Sequence, residues 1–123
     1  MGASSIGFQP KSMKLPNGAR AQLGQKLELY SLNMEHENGK HKAFLFKKRL
    51  GITIENKEVL ETALLKSAIE ADASIHISDR HGTQYDVRFQ MTTETGTSIV
   101  LGCWIIRIGE DFPRLIGTYP VKK

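Results

Sequence analysis

The sequence predicts an α+β fold, with about three N-terminal helices followed by a four-stranded antiparallel sheet. Two observations predict it. Between residues 25 and 71 apolar residues recur every three or four positions, a helical period. From residue 73 onward they alternate in twos, and short turn-forming segments separate the alternating runs, as in hairpins. Strands do not alternate with helices, which argues against a doubly wound α/β fold.

The elements follow in order. Residues 1–16 contain Gly, Ser and Pro without a period and read as a flexible lead-in to a single domain at 17–123. Asn17-Gly18 is a turn signal, and Leu27, Leu29, Tyr30 and Leu32 suggest a short helix over Gln25–Asn33. After the polar loop His36–Gly39, the stripe Ala43, Phe46 and Leu50 predicts a helix over Lys40–Leu50. Gly51 ends that helix, and Lys47, Lys48 and Arg49 suit the negative end of its dipole. Asn56 is placed to cap a third helix, Lys57–Ala71, whose face is Leu60, Ala63, Leu64, Ser67 and Ala71. Strands follow around Ile75–Ile77, Gln84–Met91, Ser98–Ile108 and Arg114–Tyr119. The third is the most apolar, which predicts a central position covered on both faces.

A chain of 123 residues holds one domain with a core of ordinary size. The net charge of +4 permits a nucleic-acid partner without demanding one. Lys40, Lys42, Lys47, Lys48 and Arg49 form a basic stretch, whereas Glu55–Asp72 is acidic on balance. The longest apolar run, Ile99–Ile106, is too short to span a bilayer, and residues 1–12 show no export signal. A single cysteine, Cys103, has no internal disulfide partner, so the expected location is the reducing cytoplasm.

The spacing of the histidines, His36 with His41 and His76 with His81, matches no usual zinc motif, and no metal or other cofactor is expected. Cys103 sits in an apolar run and reads as inert core. No Gly-rich turn joins a strand to a helix, and the acids Asp79, Asp86, Glu110 and Asp111 read as turn-stabilising. What remains is His41 with Lys42, Arg88, Trp104, Arg114, Thr118 and Tyr119. Metal-free RNA cleavage needs a base for the ribose 2′-OH, cations for the phosphorane and an acid for the leaving oxygen. His41, Lys42, Arg114 and Thr118 are the candidates for that chemistry, while Arg88, Trp104 and Tyr119 could hold the substrate by charge and stacking. The plainer alternative is a solvated sheet face beside a helix-terminal His-Lys pair.

Several words of the sequence carry a resemblance. They are Lys26–Gly51 (KLELYSLNMEHENGKHKAFLFKKRLG), Gly82–Tyr85, Trp104–Arg107 and Pro113–Tyr119. Their order resembles a bacterial domain family of unknown function with a G-x-H-K-A … W-I … P-R-L pattern. Its members occur alone and at the C-terminal tips of filamentous-haemagglutinin-type polymorphic toxins. The resemblance implies a fold of the barnase–EndoU–colicin–RelE type, with a cleavage site on the sheet. Related tips carry Thr two places before the Tyr. Here that place is Gly117 and the hydroxyl is at Thr118, on the opposite strand face. If cleavage needs the hydroxyl, this chain is a weakened version.

Two functions are therefore expected to compete. One is a metal-independent RNA-cleaving or RNA-binding domain related to toxins. The other is a non-catalytic interaction module that binds an inhibitor protein or itself. A small-molecule pocket is a third possibility that no residue selects. The first requires His41, Lys42 and Arg88 or Arg114 around one concave surface; side chains that point to different faces favour the second.

Overall fold

Two helices and a sheet divide the apolar residues between them, in a computed structural model that describes residues 13–121. Most of the expected lead-in, residues 1–12, lies outside the described residues. The elements are β1 (Met13–Lys14), α1 (Lys40–Leu50), α2 (Lys57–Glu70), β2 (Asp72–Asp79), β3 (Gly82–Thr92), β4 (Thr97–Arg107) and β5 (Arg114–Val121). Short single turns at Gly18–Arg20, Leu27–Ser31 and Ile54–Asn56 complete the order.

Among the described residues the sheet has five strands in the spatial order β1-β2-β3-β4-β5, each antiparallel to its neighbour. This corrects the expected layout in two respects. The sheet is five-stranded because Met13 and Lys14 pair with Ala73 and Asp72. A two-residue strand has too few positions to show an alternation. The two α-helices are mid-chain, between residues 40 and 70, rather than three at the N-terminus. The expected helix over Gln25–Asn33 is a single π turn at Leu27–Ser31. Leu27 and Leu32 are buried there, but Leu29 and Tyr30 are exposed, so the apolar set does not form one stripe.

α1 spans the expected residues and ends on Gly51, whose positive φ of 67° closes the helix by bonds to Lys47 and Phe46. Asn56 does not cap α2. Its side chain accepts from the Thr53 amide and donates to the Gly51 carbonyl, and so holds the turn before α2 instead.

One sheet face, here the inner face, carries Ala73, Tyr85, Val87, Met91, Val100, Trp104 and Leu115 into the core. Phe46 and Leu50 of α1 and Leu60, Leu64 and Ala68 of α2 close over them. Burying one such large side chain contributes about 1.5–3 kcal/mol. At Gly102 an added Cβ would lie 3.1 Å from Trp104 Nε1 and 3.3 Å from Leu64 Cδ2. The missing side chain is what lets the indole lie between β4 and α2. Trp104 Nε1 is buried and has no acceptor among the described residues. The outer face is less covered. β4 lies between β3 and the edge strand β5 rather than at the centre, and on this face Leu101 is buried while Ile99, Cys103 and Ile105 are half-buried.

Candidate functional site

α1 lies beside β5 with its N-terminus at the middle of that strand. Gly39 precedes the helix and is packed so closely on the Tyr30 carbonyl that a Cβ would overlap it. That contact fixes the Leu27–Ser31 turn against the start of α1. His36 braces the same corner. Its Nδ1 accepts from the amides of Asn38 and Gly39, both at 3.0 Å, and its ring meets Tyr30 edge-on at 4.6 Å. An accepting Nδ1 places the imidazole proton on Nε2.

Between the turn, α1 and β5 lies an open cleft of about 170 Å³. Lys26, Tyr30 and Ser31 form one wall, Asn38, Gly39 and Lys42 a second, and Ile116 and Gly117 the third. Each lysine rests on a tyrosine: Lys26 Nζ is 5.2 Å from the Tyr30 ring centre and Lys42 Nζ is 5.0 Å from that of Tyr119. Among the described residues no carboxylate lines the cleft. No side chain caps the first turn of α1, and no acidic residue lies in it. The positive end of the helix therefore faces the same side as the lysines.

Lys42 links the cleft to the outer sheet face. Tyr119 pairs in register with Leu101, and Leu101 with Arg88, so Arg88 and Tyr119 flank one buried leucine on that face. In the next row Asp86 pairs with Cys103 and Cys103 with Gly117. His76 Nδ1 is 3.7 Å from the Asp86 carboxylate. Burial pushes the Cys103 thiol up to about 11, the Asp86 carboxylate adds to the rise, and Lys42 and Arg88 oppose it. A thiol raised in this way disfavours the thiolate that nucleophilic chemistry would need.

The candidates named from the sequence separate as follows. Lys42, Arg88 and Tyr119 share the outer face. Trp104 and Thr118 are fully buried on the inner face, and the Thr118 hydroxyl donates to the Leu101 carbonyl at 2.7 Å. Arg114 stands at the far end of β5. It makes two bonds of 2.9 Å to Glu110 and stacks 4.8 Å from the Phe112 ring centre. The Arg114 bonds hold the Glu110 carboxyl below its usual range. His41 is exposed. At about 100° per residue it lies on the side of α1 opposite Ala43, Phe46 and Leu50, directed away from the sheet. The cleft also has walls not singled out from the sequence: Lys26, Tyr30 and Asn38. Lys26 and Tyr30 stand in the K-L-x-x-Y word quoted above, which was the one signal available.

Among the described residues no group of three or more His, Cys, Asp or Glu could hold a metal, and no helix is long and apolar enough to cross a membrane. The fold is similar to a chain of a contact-dependent growth inhibition toxin–immunity protein complex from Klebsiella pneumoniae 342, with TM-score 0.61 and 15% identity. The match covers 83% of this chain and 99% of that one. No curated protein matches. A family model, Domain of unknown function (DUF6883), matches residues 14–122, and the chain belongs to that family.

Proposed function

We propose that this chain is a toxin-related domain that binds single-stranded RNA across the α1–β5 cleft. Lys26 and Lys42 meet the phosphates, and Tyr30 and Tyr119 offer ring faces to unstacked bases. Arg88 extends the basic track over the outer face. The carrying observation is a cleft with two lysines, each against an aromatic ring, and no carboxylate. Such a surface attracts a polyanion without paying the repulsion a neighbouring acid would bring. His41 turns away from this surface, so the convergence expected for cleavage is not met, and the proposal is of binding alone.

The likeness to a chain of a toxin–immunity protein complex supports the toxin relation and a protein partner of the inhibitor kind. The test is binding of a fluorescent single-stranded RNA to the wild type, Lys42→Ala and His41→Ala. Lys42→Ala should weaken binding about tenfold, and His41→Ala less than threefold, with affinity falling as salt rises. Equal affinity of wild type and Lys42→Ala would remove the assignment, as would loss of binding in His41→Ala alone.

A further inference from the structure

The α1–β5 cleft has a floor as well as walls. Ser31 and Gly39 are its buried lining residues, and Ser31 is only 1% exposed. A hydroxyl that deep is normally bonded. The other buried hydroxyls follow the rule: Ser67 donates to the Leu64 carbonyl, Ser98 to that of Ile99 and Thr118 to that of Leu101. The Ser31 hydroxyl has no hydrogen bond to another described residue. It lines the cleft, so the partner it lacks is one that the cleft would admit.

The start of α1 adds donors at the same place. In its first turn the amides of Lys40 and Ala43 bond to the carbonyls of His36 and Gly39, at 3.0 Å each. The amides of His41 and Lys42 have no acceptor among the described residues. Free amides of a helix start point back past the residue before it, here Gly39 on the cleft floor. Lys26 and Lys42 stand on two of the walls, and neither has an ion pair among the described residues. On the third wall a Cβ added at Gly117 would meet nothing within 4 Å, so the space beside β5 is open.

Two amides, two ammonium groups and a buried hydroxyl all donate, and together they call for an anion with several oxygens. At about 170 Å³ the cleft is smaller than the roughly 300–1,000 Å³ of sites that enclose a whole small ligand, so it suits an end group. We propose that this floor holds the terminal phosphate of an RNA, a phosphate monoester, in preference to a phosphodiester within the strand. A monoester carries about −1.5 to −2 charges at pH 7 and presents three terminal oxygens. Those oxygens can be shared among the Ser31 hydroxyl, the helix amides and the lysines. A strand end can reach a floor walled on three sides, whereas an internal phosphate must bring a nucleotide in on each side. The inference rests on the RNA reading and adds which part of the RNA is gripped.

The probes are one single-stranded RNA made with a 5′-phosphate, with a 3′-phosphate and with hydroxyls at both ends, and methyl phosphate alone. The wild type should bind a phosphorylated form about tenfold more tightly than the hydroxyl form, and the two phosphorylated arms tell which end is held. Ser31→Ala removes the hydroxyl with little change of volume and should cut that ratio below about threefold. Gly117→Val fills the cleft from the wall that has room for a side chain, and should cut the ratio equally without disturbing the core. In amide NMR, methyl phosphate should shift His41 and Lys42 saturably. Equal affinity for all three RNAs would overturn the inference and leave RNA binding standing. So would a phosphate preference undiminished in both variants. Failure of every RNA to bind, with His41 and Lys42 still shifted by methyl phosphate, would sink the RNA reading and keep the site for a small phosphate ester. No response to any probe would remove both.

Discussion

Single residues show where chemistry could and could not be read from type alone. Cys103 was expected to be inert, and the structure gives the reason: half-burial, with Asp86 directly across the strand pair. Near pH 8 a thiol held near 11 is ionised roughly a hundredfold less than a free one. Alkylation of the native protein should be slower than that of the unfolded chain by about that factor. Asp86→Asn should accelerate it only several-fold, because burial rather than the carboxylate is the larger cause; a stopped assay with a thiol reagent measures both. A faster rate in the native wild type would contradict the placement of Cys103. Trp104 and Thr118 teach the opposite lesson. An indole and a hydroxyl near the chain end suggested a substrate surface, yet both are enclosed on the inner face. The period of the strand assigns alternate faces, but it does not say which face is wet when β4 is apolar throughout. Lys26 and Tyr30 were hard to single out because the facing wall of their cleft, Ile116 and Gly117, is distant in sequence.

The elements read from the sequence were those with long patterns. α1, α2, β3, β4 and β5 lie close to where the periods put them, because each repeats its apolar residue several times. The Leu27–Ser31 turn and β1 were missed or misassigned, since five and two residues carry too little repetition. At the same scale, the turn from β4 to β5 is held by Arg114 and Glu110. Glu110 has a lowered pKa in the folded state, so its contribution to stability is present above the unfolded carboxyl's ordinary value of 4.5 and is lost as pH falls through the lowered one. Glu110→Gln should lower the melting temperature at neutral pH, by no more than about two degrees given its exposure. The gap to the wild type should close well below pH 4.5. A gap that widens on acidification would show that the pair is not what holds the turn.

In the whole molecule, charge and topology act separately. The cations of the cleft lie near the start of α1 and along the outer face. Net charge alone could not reveal this, because +4 is the sum over all faces. The strand sequence β2-β3-β4-β5 follows the chain without a crossover, so these contacts close short loops. β1 differs: Met13 must find Ala73 across some sixty residues of intervening chain. The meander can therefore assemble as a four-stranded unit, and the Met13–Lys14 ribbon should zip on afterwards and peel first. Hydrogen exchange should show the amides of Met13 and Lys14 opening ahead of those in β3 and β4, and protection of β1 equal to theirs would mean that one cooperative step builds the entire sheet.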